Sequence, residues 1–331
     1  MAVFLWVLAV CIVLLWLFLR PGRYGEAQKQ LVYGVNHAHR GLHTKDKTVP
    51  ENSLPAFRAA AEAGYGVELD IQLSRDGQVV VFHDDTLDRV CGVHGRVDEF
   101  TFEELRGMRL CGTQETIPLL TEVFEVMGGR TPMIIELKTG RRNDELCEKG
   151  LALMRAYNGP YCIESFDPRI VRWFRKNAKD VLRGQLSDAP ASFRDEPKPL
   201  AFALGCLFTN VLARPQFIAY GPGKKPWTAR LAEAMGAIRV CWTVRPEDDI
   251  NAKEAENDAV IFEFITPRRR ISERTRGLAG MGRFCAPFLP FLEKFCPACN
   301  FWQGCGVYFI AKAAWCAAAF ASITNCKEKQ T

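Results

Sequence analysis

Two acidic residues set inside an apolar strand constrain this chain more than any other feature. Val67-Glu68-Leu69-Asp70-Ile71 alternates apolar and acidic side chains, so Glu68 and Asp70 leave one face of a strand and three aliphatic residues leave the other. Ser74-Arg75-Asp76-Gly77 is a turn signal, and the apolar run from Val79 to Phe82 that follows it ends in His83. So tight a turn makes the two runs an antiparallel hairpin. With the turn centred on Arg75-Asp76, His83 lies across from Glu68; a slip of one residue sets it against Asp70. Either register brings two carboxylates and an imidazole to one end of a sheet. Carboxylates two apart on a strand are ordinarily a solvated face. Here Val67, Leu69, Ile71 and Val79 to Val81 mark the strands as buried, and buried paired carboxylates need a cation or protons.

The rest of the chain supplies a frame for that hairpin. Upstream, Val32 to Gly41 reads as a strand ending in His39 and Arg40. A polar loop closes at Val49-Pro50-Glu51-Asn52-Ser53, where Asn52 or Ser53 can cap a helix with Leu54, Phe57, Ala60 and Ala61 on one face. Downstream, strands are expected at 132–138, 161–166, 181–186, 216–220, 239–244 and 259–264, with helices such as 120–127, 145–157 and 168–177 between most of them. With the strands around Val35 and Val67 that makes eight, alternating with helices over roughly 240 residues, which is the pattern of a TIM (β/α)8 barrel. Residues 86–120 break the rhythm and read as a small insertion after the second strand, with a short capped helix at Thr101-Phe102-Glu103-Glu104.

In such a barrel the reacting groups sit at the C-terminal ends of the strands. His39 and Arg40 fall there on the first strand, Glu68 and Asp70 on the second, and Glu136 and Lys138 on the third, with His83 folded back over the same mouth. Three carboxylates offer hard oxygen donors suited to Mg²⁺ or Ca²⁺. Two histidines can serve as general base and general acid, and Arg40 and Lys138 can hold an anion. Together they describe phosphoryl transfer, which depends on positioning and charge neutralisation.

Residues 2–19 are an uninterrupted apolar run, followed by Arg20 and Arg23. It lacks the preceding basic residue, short core and small-residue cleavage site of a signal peptide. It therefore reads as an N-terminal transmembrane anchor over 1–20, with a linker over 21–31 and the barrel domain over 32–267. The basic flank on its C-terminal side places the barrel in the cytoplasm. Thirteen cysteines without framework spacing agree with a reducing compartment. The tail, 268–331, is basic and Cys-rich and contains an apolar helix at 306–324 that offers a second membrane contact. Its Cys296, Cys299 and Cys305 are one ligand short of a structural zinc set. A net charge of +5 without interleaved basic and aromatic residues gives no reason to expect nucleic acid as a partner.

His39-Arg40-Gly41, Pro50-Glu51-Asn52-Ser53, Glu68-Leu69-Asp70, Phe82-His83-Asp84, Glu136-Leu137-Lys138, Ser165-Phe166 and Trp242-Thr243-Val244, in that order, resemble the glycerophosphodiester phosphodiesterase family. The resemblance implies a TIM-barrel hydrolase that converts a glycerophosphodiester to an alcohol and glycerol 3-phosphate; the N-terminal anchor adds lysophospholipids as a further expected substrate class. The resemblance also implies that a glycerol hydroxyl attacks first, giving a cyclic phosphate that water opens. His39 and His83 would be the acid/base pair, and Glu68, Asp70 and Glu136 the ligands of one divalent cation. Arg40 and Lys138 would contact the phosphate and Trp242 would line the glycerol pocket, with Glu51 orienting Arg40 or adding to the metal's surroundings. His37 and His43 match no family role and read as solvated or structural. Arg245 stands where the family commonly has Asn, and Asp258 to Glu263 departs from its usual closing strand. The competing reading is a catalytically silent protein that binds lipid headgroups or scaffolds a membrane on the same barrel.

Overall fold

Nine strands form one sheet in this computed structural model, which describes residues 2–268. They are β1 (His37–His39), β2 (Gly66–Leu73), β3 (Val79–Val81), β4 (Met133–Leu137), β5 (Tyr161–Ser165), β6 (Arg183–Ser187), β7 (Phe217–Tyr220), β8 (Ile238–Val244) and β9 (Ala259–Phe262). Eight run parallel, in the order β1-β2-β4-β5-β6-β7-β8-β9, and β9 pairs back onto β1 to close a TIM barrel. The expected tail lies outside the described residues apart from Arg268, and so does its apolar helix at 306–324.

Period-two alternation decides which side chains line the barrel. Ile134, Cys162, Leu186, Ala219, Val240 and Ile261 share one inner cluster. Val67, Leu69, Ile71, Ile135 and Leu137 belong to an outer cluster with Phe57, Leu120, Val123 and Met127 from the covering helices. Those helices, Leu54–Ala63 and Leu120–Met127, bury their apolar faces in that outer cluster. Gly184 points inward, where a Cβ would come 2.0 Å from the Phe217 ring. The missing side chain leaves room for that ring in the barrel core.

The hairpin sets the site. β2 is long enough to pair with β1 over Gly66–Glu68 and then, further along, with the antiparallel β3 over Ile71–Leu73. Because β4 occupies the opposite edge of β2, β3 continues the sheet directly above β1, over the barrel mouth. The register differs from both sequence expectations. Ile71 faces Val81 and Leu73 faces Val79, so its continuation sets His83 opposite Leu69 rather than Glu68 or Asp70. The reason is the turn: Ser74 N–H donates to Gln78 O at 3.0 Å, and Gly77 takes φ +77°, which gives a three-residue loop instead of two.

After β3 the chain forms a small unit with its own core of Phe82, Leu87, Val90, Val97, Leu105 and Ile117. Its helix Phe102–Arg106 starts at a capping box in which Thr101 and Glu104 satisfy each other's backbone amides.

The N-terminal run corrects the sequence reading. It does form a helix, Ala2–Leu19, but among the described residues no helix is long and apolar enough to cross a membrane. Eighteen residues rise about 27 Å, short of a hydrocarbon core of about 30 Å. The last turn is also engaged by protein: Leu19 is fully buried against Leu207, Ile218 and Tyr220, and Phe18 meets Phe208 edge-on at 6.3 Å. The transmembrane anchor, the membrane partner and the localisation derived from them are therefore set aside.

Candidate active site

His39 ends β1 and Arg40 follows it in the left-handed region at φ +53°. That turn aims the Arg40 amide at Glu68, Oε2 accepting at 3.1 Å. The Arg40 guanidinium donates to Glu51 Oε1 at 2.6 Å and lies 3.6 Å from Asp70 Oδ2. Glu68 and Asp70 are 2% and 0% exposed because the inner face of β2 carries them into the barrel rather than into solvent. Glu136, in register with Asp70 on the neighbouring strand, completes a trio whose ligand oxygens lie within 4.8 Å of one another.

Of the residues singled out from sequence, His39, Arg40, Glu68, His83, Glu136 and Trp242 line one cavity. Lys138 stands behind it, 2.8 Å from Glu136 Oε1 and 3.5 Å from Asp70 Oδ1. Trp242 presents its ring edge-on to Phe166 at 5.3 Å, and its indole N–H donates to Ala219 O at 3.0 Å. Glu51 is not among the clustered carboxylates. It bridges Arg40 and Arg89, so of its two expected roles the geometry favours orientation.

Three acidic groups buried together cannot all keep their charge without a counter-charge. Burial raises the Glu68 carboxyl well above the usual range, and Asp70 and Glu136 add to it. Burial raises Glu136 too. Asp70 goes the other way: burial opposes ionisation, but the charges of His83, Lys138 and Arg40 outweigh it. Asp70 Oδ1 has no hydrogen-bond partner. Clustered hard oxygens with an unused acceptor fit a divalent cation.

The two histidines sit in unlike surroundings. His39 is 8% exposed, and burial lowers it to about 4. His83 is held through Nδ1, 2.7 Å from Asp84 Oδ1. Asp84 is in turn gripped by Arg89, which makes a paired contact with Glu51. A charged chain thus runs from His83 through Asp84, Arg89 and Glu51 to Arg40.

Four residues of the site were not anticipated from the sequence. Of the two expected cap residues Ser53 takes the cap position, and Asn52 donates to Asp70 Oδ2 at 2.8 Å. Glu164 is 1% exposed, lines the cavity, and is raised well above the carboxylate range by burial and then by Glu136. Its place at the C-terminal end of a strand was a usable signal. Arg89 gave none. Glu263, just after β9, lies 3.7 Å from His39 Nδ1, 3.1 Å from His43 Nε2 and 2.8 Å from Arg245 Nε. His43 is accordingly packed rather than solvated, and His37 is wholly buried.

The model of the glycerophosphoryl diester phosphodiesterase family matches residues 39–266. The chain belongs to this family. A glycerophosphodiester phosphodiesterase of Caldanaerobacter subterraneus is 44% identical over 113 residues, 31% of this chain and 44% of that one. A human lysophospholipase D is 29% identical over 207 residues, covering 58% of this chain and 61% of its own. The chain thus spans about half the length of the curated relatives it matches. Among solved structures, the family member from Thermotoga maritima superposes with a TM-score of 0.53 at 27% identity, over 70% of this chain and 94% of that one.

Proposed function

We propose that this chain hydrolyses glycerophosphodiesters to an alcohol and glycerol 3-phosphate, with residues 32–267 as the catalytic unit. The observation that carries this reading is a single cavity lined by both His39 and His83 and floored by the buried carboxylates Glu68 and Glu136. His39, kept neutral by burial, takes the proton from the attacking hydroxyl. His83 gives a proton to the oxygen of the departing alcohol. Asp84, held ionised despite burial by hydrogen bonds from His83 and Arg89, accepts from Nδ1–H, so the proton the His83 imidazolium gives up is the one on Nε2.

Arg40, which lines the cavity, binds the phosphate, and Lys138 adds positive charge from behind Glu136 and Asp70; Glu51 holds the Arg40 guanidinium in place. Trp242 and Phe166 present an aromatic wall to the glycerol. Glu68, Asp70 and Glu136 would hold one Mg²⁺ or Ca²⁺, which when bound supplies positive charge against the phosphate oxygens. The names of the family's glycerophosphodiester- and lysophospholipid-directed relatives make both substrate classes candidates.

The test is choline release from glycerophosphocholine and from lysophosphatidylcholine, with Mg²⁺ and Ca²⁺ supplied separately and with chelator. Turnover of at least one substrate that chelator stops is expected. No release with either cation sinks the activity, and release that survives chelation sinks the cation.

A further inference from the structure

Four arginines gather at the end of the barrel away from the mouth. Arg183 opens β6, Arg214 precedes β7, Arg175 lies near the end of the helix Pro168–Asn177, and Arg20 follows the N-terminal helix. Arg183 and Arg214 are only 6% and 9% exposed. Nε and Nη1 of Arg183 and Nε of Arg214 have no hydrogen-bond partner.

The bonds these arginines do make end on main-chain carbonyls. Arg183 Nη2 donates to Arg214 O at 3.4 Å, Arg214 Nη1 to Arg20 O at 3.2 Å, and Arg175 Nη1 to Leu212 O at 2.8 Å. Arg20 lies 4.4 Å over the Trp16 ring. Among the described residues no Asp or Glu acts on Arg183 or Arg214; the charges they feel are those of Arg175 and Arg20. Burial, and then Arg175, lowers Arg183 to about 10.

A segment of chain closes over the group. Gly22 N–H donates to Pro215 O at 2.9 Å and Gln216 Nε2 to Arg23 O at 2.9 Å. A Cβ on Gly22 would come 2.6 Å from Arg214 O, so the approach is close. Buried guanidinium groups with idle N–H donors and only like charges for neighbours are costly unless an anion joins them. A tetrahedral oxyanion suits forked donors from several directions.

We propose that Arg175, Arg183 and Arg214, covered by residues 20–23, form a binding site for a phosphate-type oxyanion on the barrel face opposite the catalytic mouth. The site is independent of the phosphodiesterase reading. Filling it ties the N-terminal segment to β6 and β7.

Thermal unfolding of the full chain with inorganic phosphate, at ionic strength matched with chloride, tests it. Wild type is expected to rise by about 3 °C near tenfold saturation. In Arg183→Met the phosphate-dependent rise should fall below half. A variant that keeps more than half, or a wild type that does not respond, overturns the site. Should Arg183→Met not fold, Arg175→Met decides: an unchanged half-saturating phosphate concentration overturns the proposal, and at least a threefold increase supports it.

Discussion

Glu263 stands 3.7 Å from Nδ1 of His39, while Glu68 stands 3.9 Å from Nε2 of the same ring. The imidazole is therefore bracketed by carboxylates that arrive from β2 and from the end of β9. Glu263 stays ionised against its partial burial because His39, His43 and Arg245 all lower it. The pairing also accounts for Arg245, which departs from the family's usual Asn but holds Glu263 Oε2 at 2.8 Å.

If Glu263 orients His39, Glu263→Gln should lower kcat about tenfold with KM little changed, since the orientation matters for proton transfer rather than binding. Glu263→Asp should recover part of the loss. A change confined to KM, or an unchanged kcat, would remove Glu263 from the site.

Removing either imidazole is the harsher lesion. His39→Ala and His83→Ala should each reduce kcat on the order of 10²–10⁴-fold. Their thermal midpoints should stay near wild type, because His83 is partly exposed and the ring of His39 bears no direct hydrogen bond that folding requires. Turnover within tenfold of wild type in both variants would mean that other groups move the protons.

Trp242→Ala should act mainly on KM for the glycerol moiety, raising it about tenfold, because the ring bounds the cavity without a titratable group. Steady-state kinetics on glycerophosphocholine would show it, and a loss in kcat alone would contradict a binding role.

Acid should weaken the fold through Glu51. Burial works to raise its carboxyl, but the hydrogen bonds from Arg89 and the charges of Arg40 and Arg89 prevail and bring it to about 2. A depressed folded-state value stabilises above the ordinary glutamate range and is lost as pH falls through about 2. The contribution is on the order of 3 kcal/mol at neutral pH. Glu51→Gln should therefore be less stable at pH 7 and show a shallower decline between pH 5 and pH 2.5. Parallel unfolding curves for the two proteins would show that Glu51 is not the group responsible.

Much of the site could be read from residue order. Alternation at Val67 to Ile71 determined that Glu68 and Asp70 share a face, and the spacing of strands and helices determined a parallel barrel with polar residues at its C-terminal ends. Those features are local, since a pleat or a helical turn is set by neighbours in sequence. Sequence likewise determined that residues 2–19 would be apolar and helical.

Only the tertiary structure decided the rest. Glu263 reaches His39 because β9 pairs with β1, a contact across the whole barrel that no spacing encodes. The hairpin register turned on the φ of Gly77, and the packing of the N-terminal helix's last turn rested on Leu19 meeting Ile218 and Tyr220. In each case the deciding interaction joins residues far apart in the chain or depends on a backbone angle. Side-chain order reports neighbours along the chain, whereas closure of the barrel selects neighbours in space.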